Sequence, residues 1–263
     1  RAAAHAGVGV ACIPMWEWLR PDLHWLSFVD VMICPTHHCF ELMQDWKTRF
    51  GYSWKTVLVP WPIDRNRFAF RQRTICREFL FVNGYGGGET SRTDGTPTKY
   101  HRKGIELILQ AAALCRELRF IIRSLVRIPE PLPSNIRIAP ATRDNCHLYE
   151  DGDVCVQPSH YEGLGLQLLE CQAAGMPLIT TRAPPMTEAM PWRTIPVERS
   201  EVVEVGGGFI SSHLMTPESL VETLRPLIGT DISEASLAAR HFVESERNWD
   251  DAAGQILSEL LGR

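Results

Sequence analysis

A chain of 263 residues, 44% hydrophobic and 22% charged with a formal net charge of −4, has room for one large or two smaller α/β domains. That charge supplies no basic field to draw the chain to nucleic acid, and no apolar run approaches the ~20 residues that would span a bilayer. Eight cysteines without a Cys-x-x-Cys pair read as reduced, mostly buried thiols and point to a cytoplasmic address.

The opening "RAAAHAGVGVACIPMW" lacks the layout of a signal peptide, and Arg1 in place of Met reads as the cut edge of a longer polypeptide. "GVGVACIP" (7–14), "DVMICP" (30–35) and "KTVLVPWPID" (55–64) predict three strands. "THHCFELMQDWKTRFG" predicts a helix capped by Thr36 and stopped at Gly51. Cys34, His37, His38 and Cys39 put four metal-ligand side chains within six residues, but Cys-x2-His-His-Cys lacks the paired spacing of structural zinc, and no metal site is expected. "RNRFAFRQRTICRE" is basic and irregular, as a linker would be.

A second series follows. "EFLFVNGYGGG" (78–88) is a strand opening into a glycine loop, and 90–101 is a polar hairpin or excursion. "RKGIELILQAAALCREL" (102–118) carries apolar residues at 105, 108, 109 and 112, the pattern of a helix packed on a sheet. Strands are predicted at 119–125, 135–140, 153–159 and 176–181, with a short helix at 142–152 and a helical tail from 217. Strand and helix alternation predicts a mostly parallel α/β sheet. The expected organisation is a first lobe over 1–64, a linker over 65–77, a doubly wound lobe over 78–230 and C-terminal helices over 231–263.

Three stretches carry chemistry. Glycines 84, 86, 87 and 88 follow a strand and would let backbone N–H groups approach a phosphate, although a flexible turn explains them equally well. They are not a dinucleotide fingerprint, because the third glycine of G-x-G-x-x-G would fall on Glu89. Arg102 and Lys103 stand at a predicted helix start with Gly104 in its first turn. Cations there oppose the helix dipole unless an anion lies beside them, and a solvated basic turn is the other reading. The third stretch is "PSHYEGLGLQLLECQAAGMPLITT", at the C-terminal edge of a strand, where open α/β sheets bind ligands. Gly163 and Gly165 permit a tight turn with free amides, Glu162 stands at that loop, and Glu170 follows in an apolar helix. A buried carboxylate without a partner there would be costly, which favours a ligand.

This string, with Glu162 and Glu170 separated by seven residues, resembles the Glu-x7-Glu motif of retaining GT-B-fold glycosyltransferases, the glycosyl transferases group 1 family. "HRKGIELILQA" is similar to that family's phosphate-binding lysine and helix, and "VDVMICPT" and "VLVPWPIDRNRF" are similar to the end of its acceptor lobe. The resemblance covers almost the whole chain and implies a GT-B architecture with a truncated acceptor lobe and a complete donor lobe. It implies that Glu162 and Lys103 are the catalytic residues. It also implies that Gly84, Gly86, Arg102, Lys103, Glu162, Gly163, Leu164, Gly165 and Glu170 bind the donor. Within that set Glu162 meets the sugar, the 163–165 backbone lies beside the sugar and diphosphate, Glu170 meets the ribose and Lys103 the diphosphate, while the segment from Ala139 to Thr142 borders the base. The sequence departs twice from the family pattern. Tyr85 stands where an arginine is usual, so either Arg92 or Arg102 replaces it or phosphate binding is weaker. Trp16 and Glu17 stand near where the acceptor lobe often carries a histidine, and His5 is upstream of that place.

The implied reaction moves a sugar from a nucleoside diphosphate sugar to a glycan, lipid or small-molecule hydroxyl with retention, with no cofactor. Asp151 and Asp153 precede a strand rather than end one, so no metal-bridged diphosphate is expected. Peripheral membrane contact, at the inner face, would belong to the part before Arg1. The alternatives are a donor-binding fragment without turnover and a GT-B-fold nucleotide-sugar epimerase.

Overall fold

The computed structural model describes residues 6–84, 91–92, 98, 101–125, 127–128, 130–140, 142, 144–205 and 208–261. Near the N-terminus β1 (Ala11–Cys12), β2 (Val31–Cys34) and β3 (Lys55–Leu58) form a parallel sheet in that order. α1 (His37–Phe50) connects β2 to β3. The Thr36 hydroxyl accepts from the Cys39 amide, and Gly51 closes the helix at φ 70, so both caps lie where the residue types put them. Two strands are shorter than their apolar runs. Among the described residues β1 is a sheet edge paired only with β2, and β3 ends before Pro60 and Pro62, which cannot donate to a ladder.

The chain continues through β4 (Phe79–Asn83), β5 (Ser91–Arg92), α2 (Ile105–Leu114), β6 (Phe120–Ser124), β7 (Ile136–Ala139), β8 (Val154–Gln157), α3 (Leu166–Ala173), β9 (Leu178–Thr181) and β10 (Arg193–Ile195). Six of these strands build a parallel sheet in the order β10-β9-β8-β4-β6-β7. Neighbouring residues of β4 serve opposite faces, as the two-residue strand period requires. Phe79 and Phe81 pack with Leu107, Ile108 and Ala111 of α2, while Leu80 and Val82 pack with Leu168 and Leu169 of α3. The order reverses between β4 and β8, and the crevice outside their C-terminal ends is where such a sheet takes ligands.

Two expectations need correction. The helix predicted over 102–118 runs only from Ile105 to Leu114, and Gly104, at φ 75, is its N-cap rather than part of its first turn. Arg102 and Lys103 therefore precede the helix. The helix expected over 142–152 is a single 3₁₀ turn, Asn145–His147. The glycines at 86, 87 and 88, and most of the polar excursion, lie outside the described residues.

β11 (Arg199–Val205) and β12 (Gly208–Leu214) form an antiparallel hairpin whose edge is extended by β5. Val203, Val205 and Ile210 of this hairpin share a core with Trp16, Trp46 and Trp54 of the N-terminal lobe. α4 (Pro217–Leu224) and α5 (Ser233–Glu246) pack on the large sheet, and α6 (Trp249–Leu261) returns to the small one. Ala252 and Ile256 of α6 meet Ile33 and Val57, Gln255 donates to the Leu58 carbonyl at 2.9 Å, and Lys55 pairs with Glu259.

Glu188 fastens the lobes at a second point. Its carboxylate accepts from the His37 amide at 2.6 Å and the His38 amide at 2.8 Å, the first turn of α1, where a negative charge complements the dipole. Glu188→Ala is expected to lower stability by about 1.5–3 kcal/mol, read as a shift in the urea midpoint. Glu188→Gln, which keeps one acceptor oxygen, should recover part of that loss, and equal losses in the two variants would contradict the capping role.

Candidate functional site

A cleft of about 300 Å³ opens at the C-terminal ends of β4, β6 and β8, and one wall comes from the N-terminal lobe. Gly84 lines it at the end of β4, and Leu164 and Gly165 line it on the loop after β8. Arg102, Lys103, Glu162 and Glu170 all face it, so one cavity gathers most of the residues singled out above. Gly163 lies in the same loop, against Glu17. Gly86 lies outside the described residues.

The two helices behind the cleft start alike. Gly104 caps α2 at φ 75 and Gly165 caps α3 at φ 64, and neither helix has a side-chain cap. The left-handed conformation turns each chain sharply into its helix, and glycine adopts it without penalty. His160 ties the two starts together. Its amide donates to the Arg102 carbonyl at 2.8 Å, and its ring bonds Glu106 at 2.9 Å and the His213 carbonyl at 2.8 Å.

Lys103 and Glu162 were assigned separate contacts, diphosphate and sugar, yet the structure joins them. The Lys103 ammonium lies 2.6 and 2.8 Å from the two Glu162 oxygens, both side chains buried. Glu162 Oε1 also accepts from Ser159 at 2.7 Å and from Gln167 at 2.6 Å. Burial pushes the Glu162 carboxyl up, but Lys103 and Arg102 outweigh it and hold the group below its ordinary value. Burial likewise pulls the Lys103 ammonium down, and Glu162 only partly offsets it. Among the described residues Arg102 makes no such ion pair: its Nε and Nη1 are buried without a hydrogen-bond partner, and its guanidinium lies 5.8 Å from the Tyr161 ring centre.

Glu170 also has partners, which removes the premise that it is a lone buried carboxylate. The Tyr149 hydroxyl donates to it at 2.7 Å and Asn145 at 3.3 Å. Burial is the largest influence on the Glu170 carboxyl and raises it, against the pull of those two bonds. Arg73 supports this corner from behind. Its buried guanidinium donates to the carbonyls of Arg71, Ala174 and Tyr149 and is pushed down to about 10 by burial.

Several cleft residues escaped the sequence reading. Arg123, at the end of β6, donates to the Pro140 carbonyl and to Asp151, both at 2.9 Å. Tyr149, Asn145 and Gln167 hold the two glutamates, and no local motif marks them. Glu17 was noted only as a departure from a pattern, yet it lines the cleft from the other lobe. Asp153, for its part, accepts from the Arg77 and Glu78 amides. Among the described residues no three His, Cys, Asp or Glu side chains converge as a metal would require, and His38 packs edge-on against Trp16. No helix among the described residues is long and apolar enough to cross a membrane.

Residues 95–194 match the family profile described as Glycosyl transferases group 1. No curated protein sequence matches the chain. Among solved structures, Anabaena Alr3699/HepE in complex with UDP is similar at TM-score 0.66 and 13% identity, over 100% of this chain and 74% of that one. Sucrose-phosphate synthase from Thermosynechococcus elongatus is similar at TM-score 0.61 and 16% identity, over 90% of this chain and 60% of that one. The GtfA/B complex is similar at TM-score 0.60 and 17% identity, over 90% of this chain and 46% of that one. The chain thus spans between about half and three-fifths of the length of the latter two. The fold is mixed α/β with parallel, Rossmann-like lobes, shared with glycosyltransferases of the GT-B type.

Proposed function

We propose that the cleft binds a nucleoside diphosphate sugar and serves its transfer to an acceptor hydroxyl, with retention, without a metal ion or a cofactor. The observation that carries this reading is the content of the one cleft: two cations, Arg102 and Lys103, a glutamate at the 162–165 loop and a second glutamate, Glu170, within α3. The family profile over 95–194 and the GT-B fold support it. In this assignment Glu170, oriented by Tyr149 and Asn145, accepts the ribose hydroxyls. The diphosphate lies by Arg102, whose unpartnered N–H groups are a ready match for anionic oxygens, with Lys103 and the uncapped starts of α2 and α3 beside it. Gly84 would border the same phosphates, and Leu164 the sugar.

In the transfer, the bond from the anomeric carbon to the leaving phosphate oxygen breaks while the acceptor oxygen bonds that carbon on the same face. The acceptor proton passes to the leaving phosphate. Charge grows on that phosphate, and preorganised cations and amides stabilise it most where water is scarce. Glu162 is poorly suited to be a covalent nucleophile, because Lys103, Ser159 and Gln167 already occupy its oxygens. Its role is to hold Lys103 and orient the sugar. Acceptors would be a glycan, a lipid or a small molecule, reached between the lobes as they close. Eight free thiols, six of them buried, accord with a cytoplasmic placement.

A thermal-shift panel of UDP-, GDP- and ADP-sugars tests the donor class. UDP leads the panel because HepE was solved with it. Donor hydrolysis by the chain separates a transferase from a piece that binds without turnover. Glu170→Ala should weaken nucleoside diphosphate binding by roughly 1–3 kcal/mol in calorimetry, and unchanged affinity would remove the ribose assignment.

A further inference from the structure

Glu17 sits in a single 3₁₀ turn, Trp16–Trp18, of the N-terminal lobe, and nothing assigned so far uses its carboxyl group. The side chain is only 3% exposed, its Oε2 is buried without a hydrogen-bond partner, and it lines the same cleft as Arg102, Lys103 and Glu162. It lies directly on the 162–165 loop: a Cβ added to Gly163 would come within 1.9 Å of both its oxygens. The neighbouring Trp16 indole donates to the Gly163 carbonyl at 3.4 Å, which seats the turn on that loop.

Native interiors rarely leave a buried polar atom unsatisfied, and each exception calls for a reason. Arg102 presents the complementary exception in the same cleft, with two buried N–H groups unmatched. The two groups do not pair with each other within ion-pair distance, so a polar ligand entering between them would satisfy both. Burial also raises the Glu17 carboxyl above its ordinary value, against the pull of its own backbone amide, Arg102 and Lys103, with Glu162 adding to the rise.

We propose that Glu17 is the specificity residue for the transferred group, receiving a hydroxyl of the donor sugar at Gly163 from the opposite lobe. This rests on the donor reading above and adds the residue that reads the sugar. Because Glu17 belongs to one lobe and Gly163 to the other, the hydroxyl it receives also joins the two lobes across the donor. A donor lacking that hydroxyl would leave the carboxyl buried and unmatched, which is how polar pockets reject incomplete substrates.

Calorimetry with UDP, GDP and ADP, and with the glucose conjugate of each, tests this on the intact chain. Glu17→Ala should lower affinity for the sugar conjugate by roughly tenfold or more while leaving affinity for the free diphosphate within about twofold. Glu17→Gln is isosteric and turns one acceptor oxygen into a donor. It should lower the same ratio by a smaller factor, about threefold, and it carries the test if the alanine variant fails to fold. A ratio unchanged in the variant that folds, or an equal loss for diphosphate and conjugate, overturns the sugar contact and leaves the donor reading standing. A wild-type chain that takes up none of the three diphosphates overturns the donor reading and the Glu17 assignment together.

Discussion

Lys103→Ala is expected to destabilise the fold by about 3–5 kcal/mol as well as to weaken diphosphate binding. The reason is Glu162, which is buried and takes both of its closest cationic contacts from the Lys103 ammonium, at 2.6 and 2.8 Å. Removing one member of a buried pair strands the other, whereas replacing both by neutral groups is often tolerated. Lys103→Met combined with Glu162→Gln neutralises the pair and leaves an oxygen for Ser159 and Gln167, so it should fold within about 1–2 kcal/mol of wild type. The double variant should still lose the donor, which separates the structural role from the functional one.

The pH dependence of the single variant follows from the same pair. In the wild type the Glu162 carboxyl is held below 4.5, so its contribution is present above that pH and disappears as pH falls through the depressed value. Without Lys103, burial is opposed mainly by Arg102, and the carboxyl is expected to rise. Such a group favours the fold below its unfolded value and disfavours it as pH climbs through the raised one. The gap between wild type and Lys103→Ala in urea unfolding should therefore widen from about pH 4 to pH 7. A gap that stays constant or narrows would mean that Glu162 finds another cation.

What the sequence discloses about this site is what periodicity and capping chemistry record. "THHCFELMQDWKTRFG" announces its helix through Thr36 and Gly51, and both hold in the structure. The stretch from Ser159 to Thr181 announces a loop, a helix and a strand at one edge of a sheet, and Leu166–Ala173 and Leu178–Thr181 follow it. The fold class is legible because buried parallel strands such as Phe79–Asn83 read as unbroken apolar runs. The pairings are not. Lys103 and Glu162 lie 59 positions apart, and a basic turn carries no local sign of the carboxylate it will meet. Glu170 meets Tyr149 across 21 positions, so its burial looked unpartnered. The hairpin at Arg199–Leu214 drew no assignment. Its "RSEVVEV" alternates apolar and polar residues only over Val203, Glu204 and Val205, too short a run to read as a strand. Glu17 was the least legible, because its importance exists only once two lobes face each other.

Gly104→Ala is expected to cost on the order of 2–5 kcal/mol, about 1–2 from the left-handed backbone and about 1–3 from the contact that the methyl group would make. Gly104 has φ 75, and a Cβ there would lie 2.3 Å from the Pro158 carbonyl oxygen, a backbone atom that cannot rotate aside. Gly51 is the natural control. It has φ 70 with nothing within 4 Å of a built Cβ, so Gly51→Ala should show the conformational cost alone. The difference between the two, read from urea unfolding, isolates the fit of the 101–104 turn against the end of β8. Relief of the clash has a direction, since the turn must back away from Pro158. That movement carries Lys103 from Glu162 and Arg102 from the cleft. Gly104→Ala should therefore weaken nucleoside diphosphate binding at temperatures where it remains folded, whereas Gly51→Ala should not. Equal destabilisation by the two substitutions, with donor affinity intact in both, would show that the close approach of Gly104 to Pro158 does not position the cations.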